Sequence, residues 1–204
     1  MFITPSPVFD ASVSGGADNL GNLPEWDLND LYQGTDDPKI DQDLAWLESE
    51  CAAFAADYEG KLAELSADDM LTCIQRNEKI STVAGRIMSF AGLRYYQLTT
   101  DGERTKFLSD AQEKITVFTT PLVFFTLELN RLSEEALTAL FDANIDLARY
   151  RPAIRRIRAL EPYQLSDELE KFLHDLGAVG DAWEKLFDET IAGLTFDIEG
   201  EDLN

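Results

Sequence analysis

Between Asp36 and Gly193 apolar residues recur at steps of three and four, the spacing of helices with one buried stripe. "TDDPK" offers Asp36 or Asp37 as a helix cap, with Pro38 in the first turn. The helix it opens aligns Leu44, Leu47, Cys51, Phe54, Tyr58, Leu62 and Leu65, and Gly60 weakens or ends it. Ser66 caps a second helix whose stripe runs Leu71, Ile74, Ile80, Val83, Ile87, Phe90 and Arg94, to a stop near "LTTDGE". Gly85 and Gly92 share a face there. Beside Ala84 and Ala91 they would let another helix come close.

The next stretch is the most regular. Phe107 or Leu108, Ala111, Ile115, Phe118, Leu122, Phe125, Leu129 and Leu132 keep near-heptad spacing. Ile115, Phe118, Leu122 and Phe125 are expected to be nearly inaccessible. Pro121 removes a backbone donor within this run and predicts a kink or two abutting helices. Shorter helices follow. One opens at Ser133 and one carries Pro152 in its first turn. A third runs from Ser166 to a stop at Gly177, and a last one is "AWEKLFDETIAG". In "LTFDIEG" the period falls to two, which predicts one short strand with no second strand to pair with. The class is all-α: a multi-helical antiparallel bundle with one short strand at its C-terminal end.

Before this body, residues 1–22 are rich in Ser, Gly, Pro and Asn and read as a mobile tail. "LPEWDLNDLYQG" reads as an ordered strap anchored by Trp26, Leu28, Leu31 and Tyr32.

Charge narrows the function. The net charge is −22, and residues 1–60 hold thirteen acidic residues against Lys39 alone. Such a field repels phosphate backbones and anionic lipid, which disfavours nucleic-acid and membrane-surface binding. Cys51 and Cys73 lie in apolar patterns outside any C-x-x-C motif, as buried free thiols in a reducing compartment would. The N-terminus lacks a signal-peptide pattern and no apolar run reaches membrane-spanning length, so a cytoplasmic protein is expected.

Candidate chemistry is sparse. His174 is the single histidine, so neither an H-E-x-x-H zinc site nor a repeated Glu-x-x-His di-metal site can be built. Neither cysteine has a basic partner nearby in sequence, and no phosphate-cradling glycine motif occurs. His174 reads as a half-buried helix histidine facing Glu170. Arg149, Arg151, Arg155, Arg156 and Arg158 could receive a carboxylate or phosphate, but more simply form a helix face paired with acidic neighbours. In "LRYYQL", Arg94, Tyr95 and Tyr96 place adjacent tyrosines on different helix faces. An exposed one could line a ligand channel; packing is the plainer reading. No residue is assigned a catalytic or metal-binding role.

Three ordered stretches carry a resemblance. "LPEWDLNDLY" resembles the Pro-x-Trp-Asp-Leu-x-x-Leu-Tyr opening of oligoendopeptidase F-like zinc metallopeptidases, relatives of thimet oligopeptidase. "YRPAIRRIRALEPYQLSDELEKFL" resembles that family's Tyr-Arg … Leu-Ser-x-x-x-Glu segment. "GAVGDAWEKLFDETIAGLTFDIEG" resembles the stretch leading into its catalytic half. The resemblance implies an N-terminal helical lobe over residues 23–193, with residues 194–204 beginning a catalytic domain absent from this chain. It implies a parent enzyme that hydrolyses short peptides with zinc held by an H-E-x-x-H helix and a later glutamate, none matched here. The chain alone is then expected to bind no zinc and to be inactive. The lobe would wall the substrate channel and restrict peptide size, with Arg94, Tyr95 and Tyr96 as channel candidates. Its partners would be short peptides and the catalytic half. An apolar patch left open where that half would sit would favour self-association. The alternative is a stand-alone acidic helical interaction module without catalysis.

Overall fold

The computed structural model describes residues 27–198 and 201–203. The tail expected over 1–22 and the strap residue Trp26 lie outside the described residues.

Asp37 caps α1 (Pro38–Tyr58), its carboxylate accepting from the Lys39 amide at 2.9 Å, with Pro38 where a missing N–H costs nothing. Ile40, Leu44, Leu47, Cys51 and Phe54 form its buried stripe. The helix ends before Gly60, whose φ of 78° is open to a residue without Cβ. Glu128, from across the bundle, accepts from the Gly60 and Leu62 amides at 2.6 and 3.2 Å and fixes this turn.

Ser66 caps α2 (Ala67–Gln97), its hydroxyl accepting from the Asp69 amide. The buried face is Met70, Cys73, Ile74, Ile80, Val83, Ala84, Ile87, Phe90, Ala91 and Tyr95. Leu71 and Arg94 stand at its margin, half-buried. The glycines admit no helix: Gly85 is exposed, and a Cβ there would meet nothing within 4 Å. Ala84 and Ala91 are buried instead, because the helix is rolled towards them.

The long regular run is two helices, as Pro121 requires: α3 (Gly102–Thr119) and α4 (Val123–Arg131), joined by a 3₁₀ turn over Thr120–Leu122. Its burial is lower than the spacing suggests. Phe125 is buried, but Ile115, Phe118 and Leu122 are only half-buried, packed on the core's edge. α3 packs with α1 and α2, and its outer flank meets α8, which offers it mainly polar side chains. α5 (Glu134–Ala143) is capped by Ser133, and α6 (Ile145–Ala148) by Asn144. α7 (Arg151–Arg158) carries Pro152 in its first turn.

α8 (Asp167–Ala192) starts after Ser166, as the sequence suggests, but runs through Gly177. A helix-interior glycine costs only about 1 kcal/mol against alanine, too little to stop a helix with apolar spacing continuing on both sides. Neither Gly177 nor Gly180 has the positive φ of a C-terminal cap; among described residues only Gly60 does. The terminal strand β1 (Phe196–Ile198) has a partner, contrary to expectation. It pairs antiparallel with β2 (Glu201–Leu203), with Ile198 opposite Glu201, so two residues join them. The acidic "EDL" has no apolar alternation and low strand propensity, which hid it; proximity in sequence makes the pairing cheap. The fold is a multi-helical bundle with a small terminal hairpin. No helix among the described residues is long and apolar enough to cross a membrane.

The strap closes over α1 and α2. Tyr32 is buried edge-on against Phe90, at 5.4 Å between ring centres. Its hydroxyl donates to Asp43 at 2.8 Å and accepts from Arg86 Nε at 3.1 Å, while Arg86 Nη2 also donates to Asp43 at 2.7 Å. Burial first, then the bond to Asp43, pushes the phenol up to about 12.

Candidate functional site

The channel candidates sit at the C-terminal end of α2 and part ways there. Tyr95 is 1% exposed and Tyr96 68%, the two lying about 100° apart around the helix. Both line a hollow of about 280 Å³ between α2, α3 and α8, with Gly92, Gln112, Asp181, Glu184, Lys185 and Asp188 around it. Tyr95's hydroxyl has no hydrogen-bond partner among the described residues, and burial and then the nearby Glu189 and Asp188 raise its pKa. Arg94 does not line the hollow. Its Nη1 donates to Gln97 at 3.3 Å, and its carbonyl accepts from Arg104.

A larger cleft of about 640 Å³ lies where α2, the α3–α4 turn, α7 and α8 meet. Ile80, Leu122, Phe125 and Leu127 give it an apolar floor; Asn77, Thr119, Glu170 and His174 supply polar edges. His174 is half-buried, as the sequence suggests, but does not pair with Glu170. Glu170 accepts from the Leu165 amide at 2.7 Å, reaching back over the start of α8. His174 Nε2 lies 3.2 Å from Thr119 Oγ1. The Thr119 hydroxyl donates to the Ile115 carbonyl at 2.8 Å, so Nε2–H is the donor between the two. The signal for this partner, two consecutive threonines before Pro121, was present but carries no pairing information by itself.

The arginines behave largely as a paired helix face. Arg158 donates to Glu134 at 3.0 Å and to the Leu129 and Asn130 carbonyls at 2.8 and 3.0 Å, closing the end of α4. Arg151 stacks on Phe141 at 4.8 Å, and Arg149 pairs with Asp146 at 3.3 Å. Arg155 and Arg156 are exposed. Arg151, Arg155 and Arg158 border a cleft of about 510 Å³ shared with Glu134 and Glu161, so its charge is mixed.

These residues do not fit a zinc ion. The single imidazole is turned to a threonine, and both cysteines are buried, their thiols pushed up to about 11 and about 12 by desolvation. No group of three His, Cys, Asp or Glu among the described residues could hold a metal. What the clefts can do is bind: an apolar floor edged by polar side chains, and a tyrosine-edged hollow among carboxylates.

Residues 128–196 match the family profile described as Oligopeptidase F. No curated protein sequence matches the chain. Among solved structures, the chain is similar to oligoendopeptidase-F from Enterococcus faecium, at 22% identity and a TM-score of 0.72 over 84% of this chain. The match spans 33% of that protein, so the chain corresponds to only part of its length. The resemblance read from the sequence is thus met twice, by a family match from α4 to β1 and by a helical fold shared with an oligoendopeptidase F over most of the chain.

Proposed function

We propose that the chain is the non-catalytic helical lobe of a cytosolic, zinc-dependent oligoendopeptidase that hydrolyses short peptides. The observation that carries this reading is the coincidence of the family match over 128–196 with the fold shared over 84% of the chain. In this reading the lobe walls one side of a substrate channel and limits entry to short, flexible peptides. Tyr96, exposed beside its hollow, meets the peptide; Tyr95 and Arg94 hold the end of α2 that presents it. Zinc-assisted attack of water on the peptide bond belongs to the rest of the parent enzyme in this reading, because the donors among the described residues do not fit the ion. The cytosolic assignment rests on two reduced, buried thiols. A net charge of −22 argues against nucleic-acid partners.

The purified chain should bind less than stoichiometric zinc by elemental analysis and leave a short quenched fluorogenic peptide uncut. One tightly held zinc per chain, or chelator-sensitive cleavage, overturns the assignment of a non-catalytic lobe.

A further inference from the structure

α8 is oriented against the usual sense of an amphipathic helix. Its polar side faces the bundle: Asp181 accepts from Gln112 at 2.7 Å, Lys185 reaches Ser109, and His174 meets Thr119. Glu189 accepts from Thr105, and Lys171 pairs with Glu59. At 100° per residue these positions cluster on one side of the helix. The opposite side carries Leu169, Phe172, Leu176, Val179, Trp183 and Leu186, each between 40% and 69% exposed. Phe172, Trp183 and Phe187 alone, at 57%, 69% and 65%, expose on the order of 400 Å². That is already the size of the largest apolar patch on a typical monomer, about 300–600 Å².

The stripe has a definite period. Leu169, Leu176 and Trp183 are seven apart, and Phe172, Val179 and Leu186 follow each by three, which is the a/d seam of a coiled coil over three heptads. A 3.5-residue period selects another helix as occupant rather than a strand or a small ligand. Charge selects its chemistry. α8 holds eight acidic residues against Lys171 and Lys185, and both lysines are turned to the bundle. Exposed Glu168 and Asp175 take g positions beside the seam, Asp175 also accepting from Thr120 at 2.7 Å. A second copy would bring these carboxylates, and two chains of net charge −22, together. We infer that the exposed face of α8 docks a helix with an apolar a/d seam and lysine or arginine at its flanks, supplied by the rest of the oligopeptidase polypeptide. Only the source of that helix rests on the lobe reading.

The probes are three labelled 21-residue helical peptides binding the 204-residue chain by fluorescence anisotropy. One has Leu at a and d and Lys at e and g. The second keeps the lysines but has Gln at a and d. The third keeps the leucines but has Glu at e and g. The first should bind at least tenfold more tightly than either control. Trp183→Glu, and Leu176→Glu with Trp183→Glu, should weaken it at least tenfold with the helical spectrum retained. Ile145→Glu, at an exposed apolar position off the face, should not. Equal binding of the Gln-seam peptide would reduce the effect to charge and overturn the proposal. So would equal binding of the Glu peptide, a dimer by sedimentation that Trp183→Glu dissolves, or docking of α8 on phosphatidylcholine vesicles. Failure of selective binding leaves the lobe reading standing; absence of a catalytic half in the parent gene leaves selective binding standing.

Discussion

Phe54 should be the most costly single truncation in the bundle. Its side chain is 0% exposed, with ring centres of Tyr58, Phe125 and Phe124 at 4.9, 5.8 and 5.9 Å and the Arg76 guanidinium 5.7 Å from its own. Arg76 is itself tied to Glu50 at 2.9 Å and Asp57 at 2.7 Å, so the roof over the ring is fixed by both α1 and α2. Phe54→Ala therefore leaves a cavity whose walls belong to three helices and cannot easily collapse. The expected cost is about 4 kcal/mol, from the 3–5 kcal/mol range for emptied aromatic sites. Phe118→Ala should cost only about 1–2 kcal/mol, because that ring is half-buried and part of its area stays in water either way. In urea titrations followed by helical ellipticity, with a slope near 2.5 kcal/mol per molar, these are midpoint shifts of about 1.5 M and 0.5 M. An equal or larger shift for Phe118→Ala would refute the reasoning, since it would mean α3 is rolled to bury Phe118.

Three further outcomes follow from other sites. Cys51 and Cys73, with thiols held at about 11 and about 12 by burial, should react with a disulfide reagent at pH 8 at least a hundredfold more slowly in the native protein than in denaturant; one fast native thiol would contradict their placement. Gly60→Ala should cost about 1 kcal/mol in the same titration through its positive φ alone, because nothing lies within 4 Å of the added Cβ; a neutral result would mean that φ is not positive. The Tyr32 phenol, raised to about 12, stabilises the strap fully below its ordinary value of 10, and this contribution is lost as pH rises through about 12. The stability difference between wild type and Tyr32→Phe should thus hold to about pH 10 and shrink towards pH 12; a constant difference would contradict the buried hydrogen bond.

Local signals in the sequence proved reliable where one residue decides the structure. Asp37, Ser66 and Ser133 cap helices because each places an oxygen by free amides, and Pro121 splits a run because its ring and missing N–H leave no alternative. The errors arose where spacing had to stand for orientation. The stripe through Ile115 and Phe118 is apolar, but how deeply it sinks depends on its neighbour, and α8 meets it with polar side chains. Gly177 looked like a stop because a glycine in a cap and a glycine in a long helix read alike. The candidate site was legible in part. The different exposures of Tyr95 and Tyr96 follow from helix geometry, whereas Thr119 as the partner of His174 depends on two helices meeting 55 residues apart. The heptad on α8 was in plain view, but only its polar contacts with α3 reveal that it points outward.

The lobe assignment is tested most directly by determining the coding sequence that follows Asn204 in the parent gene. The account predicts an open frame longer than this chain, since the match spans only 33% of the Enterococcus protein, with an H-E-x-x-H helix and a later glutamate in it. A native stop codon directly after Asn204 would contradict it and leave a stand-alone helical module.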